Sequence, residues 1–82
     1  MFDLNRTPIA GEGFIALADI QTPANVIRLA APNSVEDFAR VLYAALREGD
    51  AKGLKSVVVA EPLGDGLALA IRDRLMRASK GR

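Results

Sequence analysis

Most of the side chains that carry chemistry in small enzymes are missing from this sequence. Its 82 residues include neither His nor Cys. Without His, the commonest general base and the commonest metal ligand are gone. Without Cys there is no thiolate nucleophile, disulfide or thiolate metal site. Ser34, Ser56 and Ser79 have no imidazole to activate them, which excludes an acyl-transfer triad. Carboxylates and glycines remain. Glu61, Asp65 and Asp19 stand near expected strand ends, where two carboxylates in one cleft can share a proton or hold Mg²⁺. Their spacing demands neither. The segment EPLGDGL at 61–67 follows an expected strand and opens an expected helix. Backbone N–H groups at such a junction can hold an anion, so Gly64, Asp65 and Gly66 form the candidate anion-binding loop. It has no Walker lysine–serine pair and no GxGxxG run, and Asp65 also suits a helix N-cap. We assign no catalytic residue, no metal site and no cofactor, and read the chain as a non-enzyme.

The charges add one further feature. Residues 1–70 carry net −3, whereas 71–82 carry Arg72, Arg74, Arg77, Lys80 and Arg82 against Asp73, net +4. Cations late in a helix offset the macrodipole. A nucleic-acid patch is the weaker reading, because no aromatic residue lies among these charges to stack a base. Arg72, Asp73 and Arg74 are read as a surface ion-pair group. The N-terminus has neither the basic nor the apolar region of a signal peptide. No apolar run approaches the ~18 residues of a membrane span. With no disulfides, a cytoplasmic location is expected.

The elements that must position these residues fit one domain over 1–82, with an irregular lead-in at 1–12 and an α/β core at 13–80. Residues 14–20, FIALADI, read as a strand that is apolar on both faces. A turn at 21–25 leads to a second strand at 26–30, and the short link predicts an antiparallel pair. Phe2 and Leu4 either dock on the core or add a short edge strand. Ser34, with Asp37 three residues later, predicts a capping box and a helix over 34–48. Its apolar stripe is Val35, Phe38, Ala39, Leu42, Ala45 and Leu46. Gly49 and Gly53 offer C-cap positions. The β-branched run at 56–60 then reads as a buried parallel strand, closing a βαβ unit. In the last helix, 67–79, Leu67, Ile71, Leu75 and Ala78 form the core stripe, and Leu69 and Met76 lie nearly opposite. The expected architecture is a small Rossmann-like, two-layer domain of about three strands and two helices.

Both helices are expected on one face of the sheet, yet strands 14–20 and 56–60 are apolar on both faces. Parallel sheets are normally covered on both sides. Either segment 1–12 folds over the second face, or a homodimer or another protein covers it. Leu69 and Met76 are the candidate protein contacts.

The order of segments resembles a known family. DFARVLYAALREGDAKG at 37–53 is similar to the helix A-x-x-L-[FY]-A-A-L-R-x-x-D-x-x-G of the C-terminal domain of long-form threonylcarbamoyl-AMP synthases. VVVAEPLGDGLALAIRDRLMRAS at 57–79 resembles the strand, Pro and G-L-G-x-A-I-x-D-R-L-x-R-A that close that domain. AGEGFIALADI at 10–20 is similar to its P-G-E-A-x-x-A-F-G strand. One departure is Ala68, which stands where the family pattern has the second glycine of G-L-G. The loop after Pro62 is also short for the family. The resemblance implies an accessory α/β module. In that family catalysis belongs to an N-terminal YrdC-type domain, which makes threonylcarbamoyl-adenylate for tRNA modification. It implies a YrdC-type synthase domain or a second copy as partner. Met1 and the KGR ending read as a stand-alone gene product, with a fragment of a larger enzyme as the alternative. Beside this stands a small-ligand module binding an anion or nucleotide at Gly64–Gly66.

Overall fold

The computed structural model describes residues 2–80. Arg82 and the side chain of Lys80, both counted above in the basic end, lie outside the described residues. The elements are β1 (Phe2–Leu4), β2 (Gly13–Ile15), β3 (Ile27–Ala30), α1 (Val35–Ala51), β4 (Val57–Val59) and α2 (Leu67–Lys80). The strands form one sheet in the order β1-β4-β2-β3, and every neighbouring pair is parallel.

Helix α1 forms where its caps and stripe predict. The Ser34 hydroxyl accepts the Asp37 N–H at 3.1 Å, and Glu36 and Asp37 place negative charge at the positive end of the dipole. The Asp37 carboxylate does not complete the capping box; it pairs with Arg40 instead. Glu48 and Lys52 form an i,i+4 pair at 3.8 Å. The helix runs past 48 to Ala51 and ends at Gly53. That residue has φ +74°, a conformation costly for any residue with a Cβ. The Gly53 N–H donates to the Asp50 carbonyl and the Leu54 N–H to the Gly49 carbonyl, the bonding of a Schellman motif.

Three expectations about the sheet need correction. First, the sheet has four strands rather than about three, because Phe2–Leu4 takes the edge-strand alternative and pairs on the free edge of β4. Second, β2 and β3 pair in parallel, with Phe14 opposite Arg28. Residues 16–26 do not make a tight turn; they carry the chain back to the start of the sheet, as a parallel pair requires. Third, β2 stops at Ile15 rather than residue 20. The ladder persists only through the Ala16 N–H to the Ala30 carbonyl and the Ala18 N–H to the Pro32 carbonyl. The carbonyls of Ala16, Leu17 and Ile20 turn instead to the Arg28 guanidinium.

Both helices pack on one face. Ile15, Val57 and Val59 meet Phe38, Leu42 and Ala45 of α1 and Ile71 and Leu75 of α2. The stripe of α2 is Ala68, Ile71 and Leu75; Leu67 and Ala78, expected in the core, are exposed. α1 and the sheet approach closely because Gly49 and Gly13 have no side chains. A Cβ on Gly49 would lie 2.8 Å from Val57 Cγ2, and one on Gly13 would lie 2.7 Å from Leu29 Cδ1.

The alternate residues Phe14, Ala16 and Val58 face the other way and are also buried, with Val26 and Ala60 against them. The two irregular crossovers lie on this side. Asn5, Arg6, Thr7 and Pro8 from the first and Ile20, Gln21 and Pro23 from the second line a cleft with Phe14. Val58 and Ala16 are 0% exposed and Phe14 4%, so a single chain covers its own second face.

Candidate functional site

The candidate residues fall in two neighbouring places around the start of α2. Gly64, Asp65 and Gly66 form an exposed loop in which Gly64 has φ +120° and Gly66 φ +63°. The Gly66 carbonyl accepts the first helical bond, from the Ala70 N–H at 3.1 Å. The N-cap is therefore Gly66, not Asp65, and its backbone conformation suits glycine. The loop is tied down at its root. Pro62 is fully buried, and the Arg72 guanidinium donates to the Pro62 carbonyl at 2.8 Å. Arg72 is thus not part of an ion-pair group with Asp73 and Arg74; Asp73 pairs with Arg77 at 3.1 Å. The loop itself carries the carboxylate of Asp65, which does not favour an anion there.

Leu69 and Met76 are 55% and 47% exposed. Two helical turns apart, they share one side of α2 and line a cleft of about 340 Å³ with Leu4, Asn5, Glu61, Arg72 and Asp73. The structure brings β1 to this place, a position beside α2 that the sequence did not indicate. A clamp fixes the floor of the cleft. The Asn5 amide donates to Glu61 Oε1 at 2.7 Å, its oxygen accepts the Glu61 N–H at 2.9 Å, and the Asn5 N–H donates to the Val59 carbonyl at 2.9 Å. Asn5 does this at φ +58°, a region that asparagine tolerates better than most residues. The clamp joins the ends of β1 and β4 and occupies the Glu61 carboxylate. Glu61, Asp65 and Asp19 do not assemble, and among the described residues no group of three metal-ligating side chains forms.

A second cleft, of about 410 Å³, opens at the other sheet edge between β3 and α1, where Leu29, Pro32, Val41 and Ala44 meet Asp37 and Glu48. Elsewhere, one ion-pair cluster shifts pKa values. Arg6 binds Glu12 bidentately at 2.9 and 2.7 Å and Asp3 at 2.9 Å. Glu12 also accepts the Ile9 N–H at 2.9 Å. Arg6, then the Ile9 amide, hold the Glu12 carboxyl down at about 2. The same carboxylate raises Arg6 above its ordinary value. This cluster staples the first crossover, beside the cleft that Arg6 lines with Phe14. Among the described residues, no helix is long and apolar enough to cross a membrane.

Fold and site together define a small parallel α/β domain with a cleft beside α2 in which Leu4, Leu69 and Met76 meet Asn5, Glu61, Arg72 and Asp73. The chain belongs to the family described as threonylcarbamoyl-AMP synthase, C-terminal domain, whose model matches residues 4–80. No curated protein and no solved structure shows significant similarity to it. The family is thus that of the synthase's C-terminal domain and not of its catalytic domain, in line with the resemblance in segments 10–20, 37–53 and 57–79.

Proposed function

We propose that this chain is a non-catalytic accessory module that acts by protein contact, docking on a YrdC-type synthase domain and so serving tRNA threonylcarbamoyladenosine modification. The observation that carries this reading is the extent of the match to the synthase's C-terminal domain, residues 4–80. The sequence supports it further, since a chain without His or Cys is poorly equipped for acid–base or covalent catalysis. Leu69 and Met76, with Leu4 beside them, supply the contact. An apolar centre with polar groups at its margin is the usual anatomy of a protein interface. Here the margin is Asn5, Glu61, Arg72 and Asp73.

Binding to a YrdC-type synthase domain lacking its own C-terminal domain tests the contact. Titration calorimetry with the wild type should give a saturable isotherm. Leu69→Asp should weaken it at least ~10-fold, the cost of burying a charge at an interface centre, while thermal stability stays within about 0.5 kcal/mol because Leu69 is exposed. No binding by the wild type at high micromolar concentration overturns the docking reading. A dimer in sedimentation that Leu69→Asp dissolves would make the partner a second copy.

A further inference from the structure

Arg28 lies in β3 opposite Phe14 of β2, on the sheet face away from the helices. Its guanidinium sits over the Phe14 ring, 5.2 Å from the centroid. All five of its N–H donors are used. Nε donates to the Ala30 carbonyl at 2.8 Å. Nη1 donates to the Ile20 carbonyl at 2.7 Å and the Thr22 hydroxyl at 2.8 Å. Nη2 donates to the Ala16 carbonyl at 3.0 Å and the Leu17 carbonyl at 2.7 Å. None of these acceptors is a carboxylate. A half-buried cation is held by carbonyl dipoles, one hydroxyl and a ring face. Desolvation disfavours its charged form and lowers its pKa. A residue kept under that cost, with every donor satisfied, has a positioning task.

The task follows from where the acceptors lie. Four of the five belong to residues 16–22, in the crossover between β2 and β3. That crossover has little else to hold it: Ala18, Asp19, Ile20, Gln21, Thr22, Ala24 and Asn25 are all exposed. Beyond its apolar contacts at Leu17, Pro23 and Val26, its backbone ties to the rest of the fold lie at its two ends: the Ala16 N–H to the Ala30 carbonyl at 3.4 Å and the Ala18 N–H to the Pro32 carbonyl at 2.8 Å at one, and the Gly11 N–H to the Asn25 carbonyl at 2.9 Å at the other. We propose that residues 16–26 are a strap and Arg28 its latch: the guanidinium closes the strap over Phe14, Ala16 and Val58, and its loss opens that face while the helix-side core stays folded. The strap is then a built-in cover, and opening it bares a second apolar surface.

Amide hydrogen exchange on Arg28→Ala and Arg28→Lys tests this, with ethylguanidinium at millimolar concentration as the probe. The cage of oxygens left by Arg28→Ala should accept that ion. The Ala18 and Ile20 amides, bonded to Pro32 and Leu17, should exchange at least ~10-fold faster in Arg28→Ala. The amides of β4 and α1 should keep their protection. Ethylguanidinium should restore the strap amides, and ethylammonium should not. Arg28→Lys, with one ammonium for five acceptors, should loosen the strap while remaining folded. The proposal is overturned by strap exchange unchanged in Arg28→Ala, by acceleration spread evenly over strap and core in both variants, or by equal rescue from both cations. Failure of Arg28→Lys to fold would also overturn it.

Discussion

The two faces of the sheet are covered by opposite means. On the helix side, eight buried residues from two strands and two helices form a continuous core, and glycines at 13 and 49 let the layers close without a gap. On the other side the buried cluster is the smaller one of Phe14, Ala16 and Val58, under irregular crossovers held by a guanidinium and an ion-pair cluster. The same strands present both faces. β4 is three valines in a row, and its alternate side chains enter different environments. Strands that are apolar on both faces therefore call for a cover, but the cover can be a loop secured by polar contacts. The surface we propose for a partner lies at the sheet edge, beside Leu69 and Met76.

Truncating the two buried phenylalanines gives the largest effects and the most direct contrast. Phe38→Ala, at a residue 0% exposed on the helix side, should cost about 3–5 kcal/mol in chemical denaturation. Phe14→Ala should cost less, about 2–3 kcal/mol, because the strap can settle into the space whereas a helix-packed core relaxes only partly. Equal losses would mean that both sides are equally rigid.

A smaller effect probes the tightness of the helix side. Gly49→Ala gains up to about 1 kcal/mol of helix propensity. Its new methyl, however, meets Val57 Cγ2 at 2.8 Å, a stiff side chain with one dominant rotamer, and overpacking costs about 1–3 kcal/mol. A net loss of about 1–2 kcal/mol should appear in the denaturation midpoint; a gain would show slack between α1 and the sheet.

The smallest effect belongs to the crossover side and depends on pH. The Glu12 carboxyl is held down at about 2 from an ordinary 4.5. Since the folded state binds this proton more weakly than the unfolded chain, the contribution is complete above about pH 4.5. It is lost as pH falls through about 2. Thermal denaturation of the wild type should weaken across that window more steeply than Glu12→Gln, with the pair converging at the acid end. Raised ionic strength should shrink the difference, because the cluster is partly exposed to solvent.

Much of the helix side was legible in the sequence, because its signals are local. Ser34 and Asp37 mark the start of α1, Gly53 its end, and Phe38, Leu42 and Ala45 its buried stripe. The β-branched run at 57–59 reads directly as a covered strand. What was not legible rests on distant partners. Four of the five acceptors of Arg28 are backbone carbonyls, and a carbonyl has no letter in a sequence; an arginine between Ile27 and Leu29 looks like any charged residue in a strand. The parallel pairing of β2 with β3 was hidden because the apolar run at 14–20 reads as one strand and leaves only a short turn at 21–25, whereas β2 stops at Ile15. In α2, the alanine at 68 conceals a buried position, and Leu67 advertises one that is exposed. Leu69 and Met76 were recognised as outside the core stripe, and an edge strand at Phe2 and Leu4 was one alternative, but that this strand completes their cleft was found only in the fold.

The reading of this chain as an accessory module is tested most directly by threonine- and bicarbonate-dependent ATP turnover. It should be measured for this chain alone, for a YrdC-type synthase domain lacking its C-terminal domain, and for the two mixed. The account predicts no turnover from the chain alone and a change in the synthase's rate on mixing that Leu69→Asp abolishes. Turnover by the chain alone would contradict it.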